Sequence, residues 1–355
     1  MTGPLNAGDT IDGRYEIEKY IDAGGMQYVY QAYDRILNRY VALKTPKNTS
    51  AEKRFKRSAV VAAKVNHPNV AKTLDYIETD GRFYLIEELI DGKDLDQTIL
   101  KATKYVDPYF VAKIFHYLAK GVAASHHAGV IHRDLKPTNV MVLGGLQVNG
   151  IKITDFGIAK MAEAELVEAA EGGQETINSS QTAVGALPYM APEAIETPKD
   201  VSKSADIWSL GAMMYELLTG SKPFGSGLIA VHKIVEAKPP EFPSFITSNA
   251  QFSFLSQELI ALILQCLQKD VSFRPSPDQL VESCGKLCYP INERFTGIVR
   301  NIKWNAWGFI SDGQEDVFFN LVSVYGEKPK EGDKVWFSKF PGDPSWRAHP
   351  VICLR

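Results

Sequence analysis

Moving a phosphoryl group from a nucleoside triphosphate to a hydroxyl demands three things: a clamp on the phosphates, a group that accepts the hydroxyl proton, and carboxylate or amide ligands for magnesium. The chain offers all three in order. His132-Arg133-Asp134-Leu135-Lys136-Pro137-Thr138-Asn139 supplies an aspartate, a lysine two residues later and an asparagine five residues later. Asp155-Phe156-Gly157 follows with a second carboxylate, and Ala191-Pro192-Glu193 closes the segment. Upstream, Val41-Ala42-Leu43-Lys44 places a lysine at the end of an expected strand. Any one of these short strings occurs by chance, but four of them in this order at domain-scale spacing point to phosphoryl transfer.

These groups need a scaffold, and the rest of the sequence reads as one. From Tyr15 to Ile90 short alternating runs such as Tyr28-Val29-Tyr30 and Phe83-Tyr84-Leu85-Ile86 read as strands, interrupted by one helix over 51–65. The basic run Lys53, Arg54, Lys56 and Arg57 on that helix reads as a solvated face. Beyond Asp91 the pattern turns helical, near 111–126, 205–218 and 257–268. The stretch 161–181 reads as a short helix and a mobile loop. After Cys288 the composition shifts again, because four of the five tryptophans fall there between Gly, Asp and Pro turns. At 355 residues, 45% hydrophobic and 23% charged, the chain can bury more than one core, and a net charge of -3 argues against a strongly basic, nucleic-acid-coating surface. Cys266, Cys284, Cys288 and Cys353 suit neither a disulfide framework nor a zinc site, since Cys284 and Cys288 lack a second ligand pair. The first twelve residues lack the basic start and apolar core of a signal peptide, and no apolar run approaches membrane-spanning length.

The motif series resembles the protein kinases, most closely the bacterial serine/threonine kinases of the eukaryotic-like (Hanks) type, from about Tyr15 to Cys288. The resemblance implies a bilobal α+β fold, ATP with Mg2+ or Mn2+, and a protein substrate. By position it implies Asp134 as catalytic base, Lys136 as a phosphate-contacting lysine and Lys44 on the α- and β-phosphates. Asn139 and Asp155 become the metal ligands. Gly24 and Gly25 belong to the phosphate loop, Val29, Ala42 and Met141 sandwich the adenine, and backbone groups of Glu87 and Leu89 bond its edge. A plain core role is the alternative for those apolar residues. Asp206 and the pair Arg274 and Glu193 read as structural.

Three departures qualify the resemblance. Asp22 and Gln27 stand at the first and third glycine positions of the phosphate loop, where they would crowd or repel a triphosphate. Ser58 stands where these kinases carry the helix glutamate that pairs with the lysine, and neighbours one turn away, Arg54, Phe55, Val61 and Ala62, offer no acid. Ala186 replaces a threonine that bridges the catalytic Asp and Lys. An active kinase with another solution for Lys44, a nucleotide-binding pseudokinase switch and a passive carrier fold all remain open. Thr176, Ser179, Ser180 and Thr182 are expected autophosphorylation sites, with Arg133 as the phosphate receiver.

Five short strands are expected after the linker, beginning at Gly297, Trp307, Asp316, Glu331 and Ala348. They resemble a cold-shock domain, a five-stranded barrel of the oligonucleotide-binding (OB) type. The resemblance implies that Trp307, Phe309 and Phe318 stack bases of single-stranded RNA or DNA, flanked by Lys303, Arg300 and Trp304. Asn301 and Asn320 depart from the family pattern, and from Asn292 onward nine Lys and Arg face eight Asp and Glu, so attraction to phosphates is weak. A protein-docking surface is the alternative. The expected organisation is an extension over 1–13, a kinase domain over 14–288 with lobes 14–90 and 91–288, a linker over 289–294 and the barrel over 295–355, in a cytoplasmic protein.

Overall fold

The computed structural model describes residues 3–23, 27–47, 55–56, 59–156, 185–198, 201–238, 240–290 and 292–355. The first lobe is a six-stranded sheet in the order β1-β2-β3-β4-β6-β5, with β1 Thr10–Ile11, β2 Tyr15–Ala23, β3 Gln27–Asp34, β4 Arg39–Pro46, β5 Thr73–Thr79 and β6 Arg82–Glu88. Its alternation sends Tyr15, Ile17, Tyr30, Leu43 and Ile86 to one buried face. The opposite face of β6 carries Leu85, which packs with Phe55 and Ala59 of the expected helix. Of that helix, 55–56 and 59–62 are described and helical.

The second lobe is built on α1 Pro108–His127, α2 Ser204–Thr219, α3 Leu228–Glu236, α4 Ala250–Cys266 and α5 Pro277–Lys286. Local chemistry fixes where two of these helices begin. Asp107 caps α1 by accepting from Tyr109 N and Phe110 N, with Pro108 in the first turn. Ser276 and Gln279 form a reciprocal capping box on α5. A small sheet of β7 Gly92–Asp94, β8 Val140–Leu143 and β9 Gly150–Ile153 runs beside these helices and carries the loop that holds Asp134 and Asn139.

The last stretch closes into a five-stranded barrel, β10 Arg294–Lys303, β11 Trp307–Ser311, β12 Asp316–Asn320, β13 Lys334–Phe340 and β14 Arg347–Cys353, in the order β10-β11-β12-β14-β13. Its interior is Val299, Ile310, Val317, Phe319, Val335, Phe337 and Val351. Gly308 is required there, because a Cβ would collide with the Asn301 carbonyl of the neighbouring strand.

The barrel is not tethered at a distance. Tyr325, Trp336 and Ile352 belong to the hydrophobic core of the helical lobe, and β10 begins inside the expected linker. Trp336 meets Phe110 edge-on at 4.8 Å between centroids, and Tyr325 meets Tyr105, Phe245 and Phe252. The imidazole of His349 stacks on Phe252 at 5.2 Å. Arg294 enters this seam with its guanidinium 2.7 Å from Asp107 and stacked over Phe110 and Trp336. Its backbone N–H donates to Gln147 Oε1, and its carbonyl accepts from Gln147 Nε2. Tyr325 donates its hydroxyl proton to the Leu218 carbonyl. A continuous apolar core therefore joins two units that the sequence reads as separate: Trp336 and Ile352 lie on strands whose other face fills the barrel, and Tyr325 follows β12 on the connection to β13.

Candidate active site

The cleft between the lobes gathers the residues first singled out. Asp206, fully buried at the start of α2, accepts hydrogen bonds from His132 N and Arg133 N, both at 2.8 Å, and its Oδ2 lies 2.7 Å from His126 Nε2. These bonds shape the loop that presents Asp134, and Arg133 takes a positive φ of 67° within it. Beyond, Asn139 Nδ2 donates to the Asp134 carbonyl at 2.8 Å and to Asp134 Oδ2 at 3.0 Å. Lys136 Nζ lies 2.8 Å from that same oxygen. Asp134 Oδ1 is buried and finds no hydrogen-bond partner among the described residues. One carboxylate oxygen is thus held twice, while the other keeps its acceptor capacity unused among the described residues.

Asp155 sits across the cleft, at a positive φ of 62°. His132 Nε2 lies 2.8 Å from the Thr154 carbonyl and its ring packs against Phe156, which ties this strand end to the catalytic loop. Lys44 Nζ, buried on β4, lies 2.7 Å from Asp155 Oδ1 and 2.6 Å from Glu87 Oε2. Gln27 Nε2 donates to Asp155 Oδ1 at 2.9 Å, while Gln27 Oε1 is buried without a partner among the described residues. Burial works against the Lys44 ammonium, but Asp155 and Glu87 outweigh it and hold the proton on. Burial lifts Glu87 above the usual carboxylate range even beside Lys44. It works against Asp155 as well, but Lys44 and Gln27 bring that carboxyl below its ordinary value.

Gln27 turns its side-chain amide inward onto Asp155. Glu87, expected to offer its backbone to an adenine edge, lies within β6, opposite Ala42 on one side and Thr73 on the other, and its side chain reaches Lys44. The alternation of the strand is the reason, since it turns Glu87 to the cleft face that Ala42 and Lys44 share. Leu89 follows β6 and is half-buried, as are Val29 and Met141, while Ala42 is buried. Arg274 forms the two-pronged pair with Glu193 at 2.6 and 2.8 Å. Ala186 is buried. Gly24, Gly25, Ser58, Thr176, Ser179, Ser180 and Thr182 lie outside the described residues.

On the barrel, Trp307, Phe309 and Phe318 form one half-buried aromatic face, with ring centroids 5.7 to 5.9 Å apart. Trp304, 84% exposed, extends it edge-on from Trp307. Lys303 lies over Trp307 at 5.3 Å and Arg347 over Phe318 at 4.4 Å. Arg347 had no signal in the sequence, because β12 and β14 meet only through the barrel's closure, with Phe318 opposite Arg347. Arg300 is engaged with Asp316 at 2.5 Å.

Comparison with known proteins follows this geometry. The family described as "Protein kinase domain" matches residues 15–284, which leaves out the barrel. The serine/threonine-protein kinase PknA of Mycobacterium tuberculosis (strain ATCC 25618 / H37Rv) is 33% identical over 256 residues, covering 69% of this chain and 56% of the relative. The serine/threonine-protein kinase PrkC of Bacillus subtilis (strain 168) is 32% identical over 298 residues, covering 81% of this chain and 43% of the relative. The chain thus spans about half the length of the curated relatives it matches. The crystal structure of the Mycobacterium tuberculosis PknI kinase domain, solved as a cysteine-to-alanine mutant, shares the fold with a TM-score of 0.58 at 23% identity, covering 80% of this chain and 99% of that one. Among the described residues no helix is long and apolar enough to cross a membrane.

Proposed function

The chain belongs to the protein kinase domain family, and on that premise we propose that it transfers the γ-phosphoryl group of ATP to serine or threonine hydroxyls of a protein substrate in the cytoplasm. The observation that carries this reading is the constellation at Asp134, whose Oδ2 is held by Lys136 and Asn139 while its Oδ1 has no hydrogen-bond partner among the described residues. Asp134 accepts the proton of the attacking hydroxyl, and Lys136 stabilises negative charge moving between the reacting oxygens. Lys44 engages the phosphates from β4.

The residues fit a magnesium nucleotide. A magnesium ion on a nucleotide is held by one or two protein ligands together with phosphate oxygens. Asp155 and the amide oxygen of Asn139 would be those ligands, and the cation would neutralise phosphate charge. The polar pair Gln27 and Asp155 supports the fit, since Gln27 Oε1, buried without a partner among the described residues, suits a site that admits a polar ligand or cation.

For the barrel, the exposed Trp304 and the cation-capped rings support a cold-shock-like domain that stacks single-stranded nucleic acid with little sequence preference. Radiolabelled phosphate transfer to a generic basic protein, with Mg2+ or Mn2+, tests the kinase reading. Asp155→Asn should abolish transfer while leaving the melting temperature close to the parent's, and Lys44→Met should abolish transfer and lower the melting temperature, because it leaves Glu87 buried without its partner. A parent that binds Mg–ATP and transfers nothing under any of these conditions is a pseudokinase switch.

A further inference from the structure

Ser58 cannot supply the carboxylate that the resembled kinases bring to their lysine from a helix, yet Lys44 has two carboxylate partners in the cleft. Asp155 is one of them, and it is needed for the cation. The other is Glu87. We propose that Glu87 is the positioning residue for Lys44, taking over from strand β6 the part that the helix glutamate plays elsewhere; the proposal rests on the phosphoryl-transfer reading.

The geometry comes from the ladder between β4 and β6. Ala42 faces Glu87 and Lys44 faces Leu85, so Lys44 and Glu87 are diagonal neighbours on one face, within reach of two long side chains. Their charged ends meet at 2.6 Å, with the side chains only 8% and 7% exposed. An isolated carboxylate at that depth would be expensive, and a partner this close is what makes it tolerable. The helix meets the same face differently: its described residues Phe55 and Ala59 contribute apolar contacts to Leu85. The lysine is thus oriented by hydrogen-bonded neighbouring strands, and its placement does not depend on where the helix packs. This chain can carry serine at position 58 because the charge has moved to the sheet.

The test uses the full chain and two readouts, calorimetric binding of Mg–AMP-PNP and phosphate transfer to a generic basic protein. The variants are Glu87→Gln, Lys44→Met and the two combined. Glu87→Gln leaves Lys44 paired with Asp155 and strands no buried charge, so the melting temperature should stay close to the parent's. The expected loss in kcat is roughly ten- to a hundredfold, the scale of a misplaced catalytic group, with far less change in KM for ATP. In binding, whatever Glu87→Gln costs should disappear once Lys44 is Met, because one residue acts through the other. Effects that multiply in the double variant overturn the proposal, as does a Glu87→Gln protein with the parent's kcat and nucleotide affinity. If the parent transfers no phosphate, the phosphoryl-transfer reading fails while the binding cycle still decides Glu87. A parent that binds no nucleotide overturns both.

Discussion

Arg294→Met should separate the energetics of the barrel from those of the helical lobe. The guanidinium of Arg294 and the carboxylate of Asp107 meet at 2.7 Å with side chains 3% and 0% exposed. Removing the arginine leaves the Asp107 carboxylate, among the described residues, with the cap bonds from Tyr109 N at 3.1 Å and Phe110 N at 3.3 Å. Breaking a buried pair from one side costs about 3–5 kcal/mol, since the remaining charge stays desolvated. The lost stacking over Phe110 and Trp336 adds about 0.5–2 kcal/mol, of which the methionine sulfur regains a part. The double variant Arg294→Met with Asp107→Ser removes both charges and keeps a capping hydroxyl, so it should return to within about 1–2 kcal/mol of the parent. Urea unfolding followed by tryptophan fluorescence measures this, because Trp336 sits in the seam and reports both units. The parent should unfold in one transition, and Arg294→Met should split or strongly advance it. A single variant within about 1 kcal/mol of the parent, or a double variant worse than the single, would refute the claim that this pair joins the two cores.

Other outcomes follow from the same structure. Ser58→Glu should leave the transfer rate unchanged, because Lys44 already has Glu87 beside it; a substantial rise in kcat would show that the strand carboxylate is an incomplete partner. In titrations of a fluorescent oligonucleotide, Phe318→Ala should weaken binding by about 1–3 kcal/mol, with only mild dependence on salt. Arg347→Ala should weaken it too, and binding equal to the parent in both variants would favour a protein-docking surface. Asp34 is held down to about 2 by its bond to Arg14, outweighing burial. Its folded value lies below its ordinary 3.8, so its contribution is fully present above about pH 4 and is lost as pH falls through 2. Asp34→Asn should therefore flatten that part of the acid-unfolding profile, measured as melting temperature against pH.

The grouping of Asp134, Lys136 and Asn139 was legible in the sequence because it is local. Asp134, Lys136 and Asn139 sit on one loop, and their spacing alone brings them together once that loop is held. The barrel was legible for a similar reason: alternating strands and turn residues report their period within one contiguous segment. Partners that meet across elements were not. The sequence shows that Ser58 cannot pair with Lys44, but only the register of β4 against β6 shows that Glu87 can. Nothing in the sequence shows that the amide of Gln27 meets Asp155. The alternation of β13 places Trp336 opposite the face that fills the barrel without saying what covers it, and the helical lobe claims it because Phe110 of α1 packs against it, with Arg294 of β10 stacked alongside. Periodicity states which face of an element is dry; the neighbour that dries it is chosen by packing between segments far apart in the chain, and that choice belongs to the tertiary structure.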